Sequence, residues 1–214
     1  MKNIKKRKKN KLTLGEKITK IGMIITAIAI ILGISKIIYN TYQDLSENKK
    51  IEKYYEIQDE VMSISEDVNE EQKEENTNNN YENYIAVLKI PKIGLTKGIY
   101  AKESYMNNVN RSIQIIDKSD YPDVTGGNFI LAAHSGTARI SYFKNLSGLV
   151  IDDKVSIDYN GKTYKYKVVD MYDVEKTGKV KIKRTNNKTT LTLITCKDNS
   201  NKQLVVICEL INEK

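Results

Sequence analysis

The stretch that decides the fold is VSIDYNGKTYKYKV, residues 155–168. Apolar and polar residues alternate strictly on both sides of Asn160-Gly161, as in two strands that each bury one face. Asn-Gly is the dipeptide best suited to the positive φ angles of a two-residue hairpin turn. These residues therefore predict a β-hairpin.

Short apolar runs of the same texture occur on both sides of this hairpin. Together with its two arms they make seven or eight candidate strands between Tyr84 and the last residue, with little helical periodicity. This density of short strands predicts an all-β sandwich or closed barrel. The further candidate strands are Tyr84–Ile90, Ser112–Ile116, Asn128–Ala133, Thr190–Thr195 and Gln203–Leu210.

Length and composition bound the function. The 214 residues suffice for one ordinary domain with appendages, and 40% hydrophobic with 29% charged residues is typical of a globular protein. Two cysteines exclude a disulfide scaffold, and a single histidine argues against a His-rich metal site. We therefore expect no metal and no cofactor.

The net charge of +8 is distributed unevenly along the chain. Residues 1–20 carry nine Lys or Arg against one Glu, residues 41–83 carry 13 acids against 4 bases, and residues 84–214 carry 21 bases against 13 acids. This pattern predicts a basic N-terminus, an acidic spacer over 40–83 and a basic folded domain over 84–214. Aromatic residues do not interleave with the basic cluster at 176–188, which argues against nucleic-acid binding.

Residues 21–39, IGMIITAIAIILGISKIIY, contain one charge, Lys36. A helix of this length spans about 28 Å, close to the roughly 30 Å hydrocarbon core of a bilayer. We predict an uncleaved transmembrane anchor; a signal peptide is the alternative, although its apolar core is usually shorter and followed by a small-residue cleavage site. The basic residues 2–20 predict a cytoplasmic N-terminus and an extracellular remainder.

The spacer contains no Gly or Pro and begins with a helical stripe of apolar residues. We interpret this helix as a stalk between the anchor and the folded domain. The alternatives are that the stripe packs on the domain, or on a second copy as a coiled coil. The stripe consists of Ile51, Tyr54, Ile57, Val61, Ile64 and Val68.

Cys196 and His134 are the candidates for chemistry. Each ends an apolar strand and begins a polar or small-residue loop, where a rigid scaffold can hold a functional group. A thiol needs a nearby base or cation to supply thiolate at neutral pH, and imidazole is a common partner. The structural alternative is a buried cysteine and a hydrogen-bonded histidine.

Four segments resemble the sortases, the membrane-anchored cysteine transpeptidases of Gram-positive bacteria. They are IAVLKIPKIGL at 85–95, NFILAAHSG at 128–136, YFKNL at 142–146 and TLITC at 192–196. The resemblance implies an eight-stranded β-barrel, with Cys196 as nucleophile and His134 as the catalytic histidine. The sequence shows neither the long helical insertion before TLITC that is expected of class B nor the second span and aromatic-bearing lid that are expected of the pilin-polymerising class. We therefore expect a class A, D or E enzyme, with class D as the working choice.

The resemblance also implies a reaction and its partners. Such an enzyme, a thiol protease of the hydrolase class, cleaves an LPXTG-like sorting signal between Thr and Gly through a Cys196 thioester. It then transfers the surface protein to an amine of a peptidoglycan precursor or a pilin, at the outer face of the cell membrane.

The sequence departs from the family where sortases use an Arg on the last strand to stabilise the oxyanion. The tail after Cys196, KDNSNKQLVVICELINEK, has no Arg. A hairpin centred near Asn199 places Lys202 opposite Cys196, and a one-residue slip places Gln203 there. Arg139 and Arg184 could approach from loops. The alternative function is a catalytically weak or inactive surface barrel that binds peptides.

Three further residues are candidates for the substrate groove, namely Thr195, Lys183 and Arg184. The alternative for the lysine-rich segment around them is a solvated loop. We expect Cys208 in VVICEL to be a core residue. The hairpin arithmetic pairs it near Thr190, roughly 20 Å from Cys196 and beyond the reach of a disulfide.

Overall fold

A computed structural model describes residues 13–67, 83–185, 187–197 and 200–213. The chain divides into two compact units, Met1–Ser46 and Glu47–Lys214. Of the features predicted above, most of the basic cluster at residues 2–20 and the second half of the acidic spacer lie outside the described residues.

The only α-helix in the described part of the chain, α1, spans Leu14–Asp67. Its N-terminus is a capping box, because Glu16 N–H donates to Thr13 Oγ1 (3.3 Å) and Glu16 Oε2 accepts from Thr13 N–H (2.8 Å). By length and composition α1 can cross a membrane. It therefore fits a single-pass membrane anchor near the N-terminus.

The second unit is built on one eight-stranded sheet with the order β2-β1-β5-β6-β8-β7-β4-β3. The edge strands β2 and β3 contact each other, which nearly closes the sheet into a barrel. The predicted eight-stranded barrel is thus confirmed. The strands are β1 Tyr84–Ile90, β2 Leu95–Tyr100, β3 Gln114–Ile115, β4 Asn128–Ala132, β5 Lys154–Tyr159, β6 Lys162–Glu175, β7 Thr190–Cys196 and β8 Lys202–Glu213.

The predicted hairpin forms β5 and β6. Tyr159 pairs with Lys162, and Asn160 and Gly161 take the positive φ angles (49° and 71°) that this turn requires. Three residues of the alternation, Val155, Ile157 and Tyr166, are at most 1% exposed. Their burial in the barrel core explains why the alternation predicts the fold correctly.

Strand β2 was not among the predicted strands. Its sequence, LTKGIY, contains Gly98 and follows a short 3-10 turn at Pro91–Ile93, so its apolar pattern is interrupted. Gly98 is required because the Tyr84 ring occupies the space that a Cβ at this position would fill. Here tertiary packing overrides local strand propensity.

The apolar stripe of α1 packs on the barrel, which corrects the interpretation of the spacer as a free stalk. Tyr54 is 3% exposed and forms a second hydrophobic cluster with Tyr84, Val87 and Tyr100, against which Ile51 also packs. Of the remaining stripe residues, Ile57 is half-buried and Val61 is exposed, while the side chains of Ile64 and Val68 lie outside the described residues. The stripe was the correct signal, but an amphipathic pattern does not identify the surface that it covers.

Candidate active site

The parallel pairing of β4 with β7 brings His134 and Cys196 to the same end of the barrel. The register pairs Ala132 with Ile194, and Ala133 N–H donates to Ile194 O (3.2 Å). His134 follows the last residue of β4 by two positions and Cys196 is the last residue of β7, so both lie at the end of the sheet where this parallel pair stops. Both residues are half-buried and therefore reachable from solvent.

Threonine hydroxyls of β7 hold this register. Thr190 and Thr192 both donate to Asn128 Oδ1 on β4, at 3.0 and 2.8 Å. Near the site Thr195 Oγ1 donates to Ala133 O at 2.8 Å. Thr195 is 4% exposed and alternates with Cys196. Thr195 therefore points to the side of β7 opposite Cys196. There it supports the site and does not line the substrate groove for which it was a candidate.

Strand β8 pairs Gln203 with Cys196. The register with Lys202 opposite Cys196 is therefore wrong, and the slipped register is the observed one. The reason lies at the base of the turn, where Lys197 N–H donates to Lys202 O (2.9 Å). By the alternation of a strand, Gln203 shares the face of Cys196 and Lys202 takes the opposite face.

Asn110, in the loop between β2 and β3, holds the imidazole. His134 Nε2 lies 3.1 Å from Asn110 Oδ1, and Asn110 N–H donates to Asn108 Oδ1 (2.9 Å). Asn107 ties the same loop to β3, since its Oδ1 accepts from Ile115 N–H and its amide donates to Ile115 O. An Nε2–H···Oδ1 bond leaves Nδ1 available for proton transfer. Sequence reasoning missed Asn110; its signal was the run NNVN at 107–110.

The connection between β6 and β7, residues 176–189, crosses β8 because β8 lies between the two strands in the sheet. It is attached to the outer face of the sheet, where Tyr172 OH donates to Lys181 O (3.3 Å) and accepts from Lys183 N–H (2.6 Å). Lys183 Nζ lies 5.0 Å from the centroid of the Tyr172 ring. Since Tyr172 pairs with Val205, two residues from Gln203, Lys183 lies on the sheet face that carries Cys196.

Arg184 lies at the other end of β7. Its Nη1 donates to Gly126 O (2.9 Å), Lys188 O (3.0 Å) and Gly127 O (3.3 Å), next to the first residue of the strand. Six residues of extended strand, roughly 20 Å, separate that position from Cys196. Arg184 thus fastens the β6–β7 connection to β4, and this placement supports neither an oxyanion nor a groove role.

Arg139 is exposed in the histidine loop, which we define as residues 134–145. Burial raises the pKa of Tyr142 in this loop to about 12, with a further increase from Glu47, whereas the Arg139 charge acts to lower it. Arg139 thus acts electrostatically on the Tyr142 hydroxyl. Arg111, next to Asn110, was not considered from the sequence; its guanidinium lies 3.6 Å from the centroid of the Tyr105 ring.

The two cysteines differ in environment, and both are free thiols. Cys208 is fully buried in the barrel core and pairs with Leu191, one residue from the predicted position. Burial raises the pKa of its thiol to about 12, which disfavours the reactive thiolate. The prediction of Cys208 as a core residue is confirmed.

Within the described residues, no group of three or more His, Cys, Asp or Glu side chains is arranged to hold a metal ion. The candidate site consists of the Cys196 thiol at the end of β7, the His134 imidazole with its Asn110 partner in the loops, and the Gln203 amide on β8. This arrangement can carry out nucleophilic acyl chemistry in which the imidazole moves a proton.

A sequence model of the sortase domain matches residues 88–211, more than half of the chain. The chain belongs to the sortase family, a family of cysteine transpeptidases. A search of curated proteins gave no significant match.

Solved structures agree with this assignment. A lid mutant of sortase A from Corynebacterium diphtheriae is 26% identical with a TM-score of 0.54, covering 60% of this chain and 70% of that one. A Sortase D5 transpeptidase from Clostridium perfringens is 20% identical with a TM-score of 0.58, covering 78% and 98%. Sortase C1 from Streptococcus agalactiae is 23% identical with a TM-score of 0.53, covering 60% and 68%. The last two likenesses show the fold alone, and the neighbours span classes A, C and D.

Proposed function

We propose that this protein is a cysteine transpeptidase that cleaves an LPXTG-like sorting signal between Thr and Gly and transfers the acyl fragment to an amine. The observation that supports the proposal is the parallel pairing of β4 with β7, because His134 follows β4 and Cys196 ends β7 at the same end of the sheet, and Gln203 of β8 pairs with Cys196. The nucleophile, the proton carrier and the donor of the proposed reaction thus come from the same end of the barrel.

In the first half-reaction the Cys196 thiolate attacks the Thr carbonyl carbon. A C–S bond forms, the C–N bond to Gly breaks, and His134 gives its proton to the leaving amine. In the second half-reaction an acceptor amine attacks the thioester, His134 takes its proton, and the C–S bond breaks to restore the thiolate. The hydrogen bond from His134 Nε2–H to Asn110 Oδ1 keeps the imidazole in one orientation through both half-reactions.

Gln203 is the donor that we assign to the oxyanion. Directly paired residues on antiparallel strands have Cβ atoms about 5 Å apart, so the Gln203 amide can reach the carbonyl that Cys196 attacks. A neutral amide lacks the charge and the planar fork of Arg. We therefore expect this chain to turn over more slowly than a sortase that carries the arginine.

The orientation of the anchor in the membrane determines which molecules the barrel can meet. With the N-terminus cytoplasmic and the barrel outside, the substrates are surface proteins that carry sorting signals, and the acceptor is the amine of a peptidoglycan precursor or a pilin. Lys183 and the Tyr172 ring lie together on the sheet face that carries Cys196. They suit a peptide that binds in an extended conformation there.

The test is a screen of the full-length chain in detergent against LPXTG-like peptides, with and without glycine-based and diamine acceptors. The proposal expects amine-dependent ligation products that are lost in Cys196→Ala and His134→Ala. Hydrolysis or ligation that survives Cys196→Ala would refute it.

A second candidate function is a peptide-binding surface barrel with little or no catalysis. The observation that favours it is the neutral Gln203 at the position paired with Cys196. Thiol alkylation separates the two candidates. A pH profile for Cys196 equal to that of free cysteine and unchanged by His134→Ala supports the binding barrel, whereas a profile that shifts in His134→Ala supports the enzyme.

A further inference from the structure

A buried ion pair connects helix α1 to strand β2. Lys97 Nζ lies 2.5 Å from Glu47 Oε2, and the same carboxylate oxygen accepts a hydrogen bond from Tyr84 OH at 2.7 Å. Lys97 is only 8% exposed, so its charge depends on this partner. Removing one member of such a pair leaves the other charge uncompensated in a poorly solvated site.

The Lys97 ammonium also contacts the histidine loop. Its Nζ lies 4.5 Å from the centroid of the Tyr142 ring, well within the range of a cation–π interaction. The next residue, Phe143, is fully buried, and its N–H donates to His134 O at 3.0 Å. A continuous series of contacts thus runs from Glu47 through Lys97 and Tyr142 to the main chain of His134.

We propose that Lys97 is a positioning residue, which together with Glu47 of α1 holds the histidine loop and thereby sets the position of the His134 imidazole. Lys97 touches no reacting atom and acts through Tyr142 and the Phe143–His134 hydrogen bond. The consequence for catalysis rests on the function proposed above. The consequence for the loop does not, because it depends only on the contacts.

The chain offers a matched control in a second ion pair between the same helix and the same barrel. Lys89 Nζ lies 2.8 Å from Asp158 Oδ2, and Tyr55 OH of α1 donates to that oxygen at 2.5 Å. Lys89 Nζ lies 5.2 Å from the centroid of the Tyr55 ring, which belongs to α1 and not to the histidine loop. Lys89→Met therefore weakens the docking of the helix without removing a contact to the loop.

The experiment compares hydrogen exchange of residues 134–145 in full-length wild type, Lys97→Met and Lys89→Met in the same detergent. We expect exchange of the Phe143 amide to rise at least tenfold in Lys97→Met and to stay within about twofold of wild type in Lys89→Met, because amides that lose their tertiary support open more often. Equal changes in the two variants, or an unchanged loop in Lys97→Met, would overturn the proposal.

Two further variants complete the test. Tyr142→Leu keeps the apolar packing and the Glu47–Lys97 pair but removes the aromatic ring. If Lys97→Met does not fold, this variant still tests whether the Lys97–Tyr142 contact holds the histidine loop. It should raise exchange of the loop by the same amount. Lys97→Arg, which keeps a cation over the ring, should restore protection, and failure of this rescue counts against the proposal.

The kinetic readout follows from the positioning role. Lys97→Met and Tyr142→Leu should lower kcat by about tenfold with KM within twofold, since a displaced imidazole weakens the transition state and leaves peptide binding intact. If wild type turns over no peptide, the function proposed above fails, and hydrogen exchange still decides the role of Lys97. A fall in kcat that is equal in Lys89→Met would show a general loss of stability instead.

Discussion

Gln203 is the β8 residue that pairs with Cys196, where the family resemblance leads one to expect an arginine. Its backbone pairs with Cys196, and by alternation its side chain shares the face of the thiol. Lys202, the other candidate from the sequence, takes the opposite face. The two neighbours therefore form a matched pair of test positions.

We predict that Gln203→Ala lowers kcat by about 10²-fold with little change in KM, because an oxyanion donor acts only in the transition state. Lys202→Ala should retain kcat within about twofold. Gln203→Arg should raise kcat above wild type by supplying a charged, planar donor. Steady-state kinetics with one peptide and one acceptor decide this, and an equal loss in Lys202→Ala and Gln203→Ala would contradict the assignment.

Asn110 is the second residue for which we predict a kinetic effect. Asn110→Ala removes the acceptor at His134 Nε2 and should lower kcat by about tenfold, while Asn110→Asp, which still accepts this hydrogen bond, should retain more activity. The control is Asn145→Ala, an exposed asparagine in the same histidine loop. A wild-type rate in Asn110→Ala would show that the imidazole needs no partner.

At the scale of elements, the contact between α1 and the barrel contains two carboxylates, Glu47 on α1 and Asp158 on β5. Burial acts to raise the pKa of Glu47, but the hydrogen bond and charge of Lys97 outweigh it, and the pKa lies below its usual range. Burial likewise acts to raise the pKa of Asp158, and hydrogen bonds from Lys89, Tyr55 and Thr163 hold it below its usual range.

These pKa directions predict loss of barrel stability in acid. A carboxylate whose pKa is lowered by folding stabilises the folded state above its unfolded pKa of about 4, and that contribution is lost as pH falls through the folded pKa. Near-UV circular dichroism of the tyrosines can follow unfolding, since the chain has 14 Tyr and no Trp. The melting temperature should fall below about pH 4.5 in wild type and fall less in Glu47→Gln and Asp158→Asn.

The control for this prediction is Asp152→Asn at the exposed Lys167–Asp152 pair, whose 3.1 Å contact is solvated. Asp152 has φ of 71°, a backbone conformation that Asn also tolerates. This variant should keep the wild-type pH dependence. If the melting temperature falls equally at low pH in all four proteins, neither Glu47 nor Asp158 is linked to folding.

Some elements of the fold and the candidate site follow from the sequence, and others depend on tertiary contacts. The alternation around Asn160-Gly161 and the strands that end at His134 and Cys196 follow from periodicity, so the barrel and its two candidate residues were predictable. The register of β8 depends on a turn whose length differs by one residue from the assumed one. The contact of Asn110 with His134 and the docking of α1 are tertiary, and no local pattern specifies a partner 24 or more residues away.

At the scale of the whole molecule, the charge of the flanking segments predicts the orientation in the membrane. With nine basic residues before the apolar segment and a net charge of −9 after it, we predict that the barrel faces outward. A membrane-impermeant maleimide applied to intact protoplasts should label Cys196, which is half-buried, and leave Cys208, which is fully buried. Labelling that appears only after the membrane is permeabilised would reverse the topology.

The central claim, that Cys196 is the acylated nucleophile of a transpeptidase, is tested most directly by mass spectrometry. The full-length chain in detergent is incubated with an LPXTG-like peptide without acceptor amine, quenched in acid, digested and mapped. We predict an adduct with the mass of the fragment ending in Thr on the peptide that contains Cys196, which hydroxylamine removes and Cys196→Ala abolishes. A folded chain that cleaves the peptide without any adduct on Cys196, or with the adduct on Cys208, would contradict the claim.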